Sequence, residues 1–524
     1  MDRIADFGSV DGGSIPPRPI KVYNFKRFFQ IMKREWEIVK DSQKEIILLG
    51  QTSALLGWDE QTYIPKEGIY SRAEQCAFIS KLIHEKMMNN SFFESVRKLK
   101  NSNLKGEEKR LIDRTYKCIS NARKLPKEFV EELSKTTSLA HHSWKEARKK
   151  NSFKLFQKDL TKIFDLKRKQ AKLIGLEGHP YNSLLDDYEE GMTAEKLKPI
   201  FNKLKFELVD LIKKIENTDE YYKKRKVLNE FSKEDQMHLV KDVIQRIGLG
   251  ENNSRIDFSE HPFTTKIGQG DVRVTTALRK NPFFAFESSI HEAGHALYEL
   301  GLPVKHQYDF LGDSPSLGIH ESQSRFWENM ISKGKPFWRY YYPKFKDKFN
   351  LNLDFNEWYK EVNLVHPGFI RVESDELHYC LHIILRFELE LGLLDGSIKV
   401  GDLPGLWNSK MKELFGVVPR NYVEGVLQDV HWSGGSVGYF PTYALGTIYA
   451  AQIYTALRKT HSSIEKEIER GDYSKIRNWL IEKVHRHGSL YMSEELIKKV
   501  CGKGLDVEEY MRYLTGKYRD IYRF

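Results

Sequence analysis

Cysteine is scarce in this 524-residue chain: Cys76, Cys118, Cys380 and Cys501 are its four, far apart and without a C-x-x-C pair. A disulfide framework is therefore not expected, and a reducing cytoplasm is the default setting. Long apolar runs are missing too. The nearest, around Ile46–Trp58, is interrupted by Gly50, Gln51, Thr52 and Ser53, well short of the roughly 18–20 residues that span a bilayer. No Gly/Ser/Pro linker, internal repeat or low-complexity block follows the first twenty residues. Those residues carry Asp2, Asp6 and Asp11 and no apolar core, so they read as a flexible leader (1–20) rather than a signal peptide. Residues 21–524 are expected to form a single domain.

Charge is abundant, with a formal net of +11, but it does not point to nucleic acid. The lysines keep company with glutamates in helical segments, within 145–150 and on either side of 196–205 (Glu195 and Glu207). The one compact basic run, Lys223-Lys224-Arg225-Lys226, lacks the interleaved aromatics of a single-strand binder. A solvated helix face is the better reading.

The dominant periodicity is helical. Phe129, Leu133, Ala140 and Trp144 share one face, as do Phe156, Leu160, Ile163 and Phe164. Pro126 suits the start of the first of these helices, and the chain beyond Ser474 alternates at the same period. Strand signal is local. In Asp271–Thr276, after the turn residues Gly268 and Gly270, residues 271, 273 and 275 face one way and Val272 and Val274 the other. The fold class is mainly α, with a small β-sheet near the middle of the chain.

His291-Glu292-Ala293-Gly294-His295 is an H-E-x-x-H motif on a helix predicted from Phe284 to Leu300. Four residues turn 400°, so the two imidazoles stand about 40° apart and ~6 Å along the axis, within reach of one ion. Glu292 is rotated about 100° away and can face a water instead. Three protein ligands leave a position open for that water, and a carboxylate beside it can act as base. The motif arises by accident in roughly four or five such chains per hundred, so it needs a third ligand. Gly294 costs about 1 kcal/mol relative to Ala inside a helix, which hints at close packing there. Glu321 and Glu328, a heptad apart on a second helix, both offer a carboxylate. Glu321 lies 26 residues after His295, within the gluzincin spacing, and no third histidine follows in metzincin spacing. Spacing favours Glu321 and leaves Glu328 as a competitor.

Six ordered motifs then make the chain resemble the carboxypeptidase Taq family of metallocarboxypeptidases, from about Ile46 to the C-terminus. They are His261-Pro262-Phe263, Asp271–Thr275, H-E-x-x-H, His320-Glu321-Ser322-Gln323, Ile370–Asp375 and Gly425–Trp432, supported by Trp58–Thr62 and Gly438–Tyr443. The resemblance selects Glu321 as third ligand. It implies a large, two-lobed helical gluzincin fold with a deep groove, similar to neurolysin and angiotensin-converting enzyme, and a homodimer. It also implies removal of single C-terminal residues with broad specificity, poor on proline, with one divalent metal per subunit, zinc or alternatively cobalt. Glu60 and Glu190 depart from the family pattern, away from the metal motif.

A carboxypeptidase must hold a free carboxylate, which a planar guanidinium does in bidentate fashion. Arg371, in a helical segment 370–377, is favoured. Arg273 is the alternative, on a strand whose edge could pair with an extended peptide, although Asp271 is placed to engage it. Internal ion pairing is the competing reading for both. His431 and Tyr443, with Tyr439 behind them, are the candidates for stabilising an oxyanion; a buried hydrogen-bonded histidine and a core tyrosine would look the same. Asp429 could orient a ligating histidine, and His261 has no assigned role. An endopeptidase or dipeptidase of the same fold, or a non-catalytic metal- or peptide-binding helical protein, are the other readings. An intact Glu292 speaks against the last.

Overall fold

The computed structural model describes residues 20–222, 232–279 and 283–524, with side chains from Met32 onward. The leader and the basic run at 223–226 therefore lie outside the described residues, apart from the backbone of Ile20. Helices dominate, and one three-stranded sheet interrupts them. None of these helices is long and apolar enough to cross a membrane, and all four cysteines are free.

The predicted helical faces are the buried ones. Phe129, Ala140 and Trp144 turn inward from the helix Lys127–Lys149, which Pro126 immediately precedes, and Leu133 is half-buried. Phe156, Leu160, Ile163 and Phe164 do the same from Lys154–Ile174. Gly175, at φ +71°, ends that helix in the left-handed conformation glycine tolerates best. Beyond Ser474 the helices are Ser474–Lys483, Ser493–Cys501 and Val507–Tyr522. A large core joins these elements. A smaller one, built on Val39, Ile46, Phe92, Val96, Leu99, Ile112 and Ile119, ties the first helix to Asn90–Lys100 and Gly106–Lys124.

The sheet comprises β1 (Ser254–Phe258), β2 (Thr264–Gly268) and β3 (Asp271–Thr276), in the order β1-β3-β2. Val272 and Val274 are buried, as the alternation predicts. However, β3 is the central strand, parallel to β1 and antiparallel to β2. Both of its edges are occupied, so Arg273 does not sit on an edge open to a peptide. The helical segment expected at 370–377 is also revised. Arg371–Glu373 form a single 3₁₀ turn, and the α-helix begins only at Glu376. The reason is Asp375, whose carboxylate accepts the N–H of Leu377 (2.9 Å) and His378 (3.1 Å) and so caps the helix rather than joining it.

Candidate active site

The helix Phe284–Gly301 carries His291, Glu292 and His295. The helix Leu317–Arg325, capped by Ser316 Oγ on Ile319 N–H (3.0 Å), lies against it. A Cβ on Gly294 would come within 2.7 Å of Gln323 O and Ser324 Cα, so only glycine lets the two backbones meet. On the opposite side, a Cβ on Gly446 of the helix Pro441–Thr460 would fall 2.7 Å from Glu321 Cβ. Two glycines thus let Glu321 be clasped between helices, its carboxylate beside the histidine pair.

His291 Nε2 and His295 Nε2 lie 3.8 and 3.4 Å from Glu321 Oε2. One ligand atom from each residue falls within 4.8 Å of the others. Two imidazole nitrogens and a carboxylate oxygen at such separations suit a single divalent ion with an open position. The charges agree. Burial opposes ionisation of Glu321, but Arg325 and His291 outweigh it and hold the carboxyl well below its usual range. Burial likewise disfavours the His291 imidazolium, yet Glu321 and Glu328 raise its pKa to about 9. Burial, and then His320, bring His295 down to about 4. The field at the imidazole pair favours positive charge without admitting two protons.

Glu328 has a different position from Glu321. Its Oε2 meets His291 Nδ1 at 2.7 Å and Arg325 Nη1 at 3.1 Å, on the far side of the ring from Glu321. A heptad on one uninterrupted helix would keep the two carboxylates on one face. Here the chain passes into a wider π-helical stretch, Phe326–Ser332, between them. Glu328, not Asp429, is thus the carboxylate behind a candidate ligand. His320, bonded to Glu299 at 2.9 Å, stacks its ring on His295 at 4.5 Å.

Glu292 is buried, and its Oε2 accepts from Thr264 Oγ1 on β2 at 2.7 Å. Burial raises its pKa, although His291 and Thr264 pull the other way. His291, Glu292, Arg325, Glu328, Arg371, Tyr379 and Tyr443 line one cavity.

The loop bearing Asp429 and His431 is fastened by the polar stripe of an otherwise apolar buried helix, Glu376–Asp395. Arg386 Nε reaches Asp429 Oδ2 (2.6 Å), and Glu390 accepts from Trp432 Nε1 (2.8 Å) and Gly438 N–H (3.2 Å). Arg371 Nε and Nη2 lie 3.0 and 2.9 Å from Asp429 Oδ1, and Nη1 lies 3.1 Å from Tyr379 Oη. One carboxylate thus serves two buried guanidinium groups, leaving a surplus positive charge at the cavity wall. His431 Nε2 and Tyr443 Oη are 3.2 Å apart, with the Tyr439 ring against both. Burial drops His431 to about 3, so the ring is neutral.

Arg273 is not brought to this cavity. It pairs with Asp271 (3.0 and 2.9 Å) and lies over the Trp58 ring. His261 is exposed, while Pro262 beside it lines the cavity. Glu190 is taken up by Arg110 (2.8 Å) and Lys117 (3.3 Å). Residues that sequence reasoning passed over include Thr264, Arg325, Tyr379 and Arg386. Only Arg325, four residues after Glu321, had a signal in spacing.

The profile of the carboxypeptidase Taq (M32) metallopeptidases matches residues 38–518. Thermostable carboxypeptidase 1 of Pyrococcus furiosus is 39% identical over 482 residues, covering 91% of this chain and 96% of that protein. Carboxypeptidase 1 of Bacillus subtilis is 35% identical, covering 95% and 98%. The solved Pyrococcus furiosus carboxypeptidase superposes with a TM-score of 0.90 at 38% identity, over 93% of this chain and 99% of that one. The Deinococcus radiodurans M32 carboxypeptidase gives 0.90 at 34%, over 94% and 100%. This chain belongs to the carboxypeptidase Taq (M32) family of metallopeptidases.

Proposed function

We propose that the chain removes single residues from the free C-terminus of peptides, tolerating most side chains and using C-terminal proline poorly. A divalent ion would be held by His291 Nε2, His295 Nε2 and Glu321 Oε2, and zinc is the ion this donor set suits best, with cobalt as the alternative. Held there, it supplies Lewis acidity toward water and the scissile carbonyl. Glu292 takes the proton of the attacking water as the new C–O bond forms. It returns that proton to the amine nitrogen as the C–N bond breaks. Thr264 orients the carboxylate, and the upward shift from burial suits a group that must carry a proton in mid-reaction. Tyr443, with His431 and Tyr439 positioning its hydroxyl, faces the developing oxyanion. Arg371 anchors the terminal carboxylate.

The observation carrying this reading is the convergence of three ligand atoms within 4.8 Å, one of them on His291, which with Glu292 lines a cavity that also holds Arg371. The family also supports a homodimer and a two-lobed groove similar to that of neurolysin and angiotensin-converting enzyme. The four free cysteines suit a cytoplasmic setting. The test is to restore metal-stripped protein with zinc or cobalt and follow products from one peptide, as free acid and as C-terminal amide. Stepwise loss of single C-terminal residues from the acid is expected. Internal cleavage of the amide would identify an endopeptidase, and action on free dipeptides alone a dipeptidase.

A further inference from the structure

Lys333 follows the π-helical stretch that carries Glu328 and lines the same cavity as His291, Glu292 and Arg371. It is 9% exposed, yet among the described residues its Nζ makes no hydrogen bond and no ion pair. The ammonium is not among the buried unsatisfied atoms, so the packed stem delivers an accessible Nζ to the cavity, where a partner can reach it. The carboxylates nearest in charge are committed elsewhere. Glu328 is held by His291 and Arg325, and Glu376 by Lys517 (2.7 Å) and Tyr513 (3.0 Å). Asp375 caps its helix and meets His378 Nδ1 at 2.6 Å. Glu287 also has a partner of its own. These four keep Lys333 charged through space, against burial, without bonding to it.

Arg371, by contrast, already directs three of its five N–H donors to Asp429 and Tyr379. Besides Arg325, which Glu321 and Glu328 hold, the cavity therefore has one partly committed cation and one uncommitted one. We propose that Lys333 is the second cation of the carboxylate site, holding the terminal carboxylate of the substrate together with Arg371. This rests on the carboxypeptidase reading above and adds the residue that completes recognition. A single charge-assisted hydrogen bond to a desolvated carboxylate corresponds to about ten- to a hundredfold in affinity.

The test uses zinc-loaded Glu292→Gln protein, which binds without turnover, and calorimetry with benzoyl-Gly-Phe and its C-terminal amide. Kinetics of the otherwise wild-type enzyme on acids ending in Phe, Gln and Glu run in parallel. Lys333→Met should weaken acid binding about ten- to a hundredfold and leave amide binding within about twofold. It should raise KM more than it lowers kcat, to a similar extent for all three acids, and Lys333→Arg should restore most of the loss. Equal weakening of acid and amide would overturn the proposal in favour of a helix-terminal charge with a structural role. So would a loss confined to the Glu-ending acid, which would place Lys333 against the side chain. If Arg371→Ala discriminates acid from amide and Lys333→Met does not, the proposal fails and Arg371 stands. If neither discriminates, the carboxylate anchor itself has been misread.

Discussion

Replacing Glu328 probes the division of labour between the two carboxylates most sharply. Glu328 Oε2 accepts a hydrogen bond from His291 Nδ1–H at 2.7 Å, which fixes the tautomer and turns Nε2 toward Glu321 and His295. Loss of such a supporting carboxylate lowers metal affinity about 10–100-fold, or about 1.4–2.7 kcal/mol. Glu328→Ala should fall in that range. Glu328→Gln keeps an acceptor oxygen and loses only the charge, which roughly halves the strength of the bond, so its affinity should fall by less than about tenfold. Glu321→Ala removes a ligand atom and should exceed the upper end of the range. Zinc affinities would be read by competition with a chromophoric chelator. Melting of the metal-free proteins is the control, because removing Glu328 leaves the buried Arg325 paired with Glu321 alone. If Glu328→Ala were purified metal-free while Glu321→Ala still bound zinc, the assignment would be reversed and the reasoning from ring sides wrong.

Glu292→Gln should retain zinc by elemental analysis while kcat falls about 10²–10⁴-fold; loss of zinc would make Glu292 a ligand. Arg371→Ala should lower kcat/KM on free acids by about one to two orders of magnitude, and Lys at 371 should rescue only part of it. Comparable losses on peptide amides would contradict that role. Gly294→Ala should gain about 1 kcal/mol of helix propensity but lose about 1–3 kcal/mol to overpacking against backbone at 2.7 Å. Zinc affinity should drop as the two site helices part, and an unchanged affinity by the same chelator assay would refute the clasp. Chelation should lower the melting temperature, since zinc at about 1,000 times its Kd stabilises the fold by about 4 kcal/mol; a melting curve indifferent to chelator would mean no ion is held.

What the sequence by itself determined was whatever depends on local periodicity. His291 and His295 share a helix face because the α-helix repeats every 3.6 residues, and the helix Phe284–Gly301 follows its predicted bounds to within one residue. The alternation in Asp271–Thr276 put the two valines on one face because strand side chains alternate, and that face is the buried one. The ordered motifs carried the family. Periodicity could not separate Glu321 from Glu328, because an ideal helix places both on one face. The π-helical turn and the clasp by Gly294 and Gly446 decide which side of His291 each carboxylate meets.

Spacing did place Asp271 to engage Arg273, two residues on, but it could not reveal that Arg371 shares Asp429, 58 residues away, with Arg386. The free state of Lys333 is the extreme case. A lysine at the end of a helical segment reads as an ordinary surface charge. Only the packing that buries it while every nearby carboxylate finds another partner makes it a cation available to a substrate. Helical phase is a property of neighbours in sequence. Charge pairing in a buried cavity is settled by groups that the chain brings together from far apart.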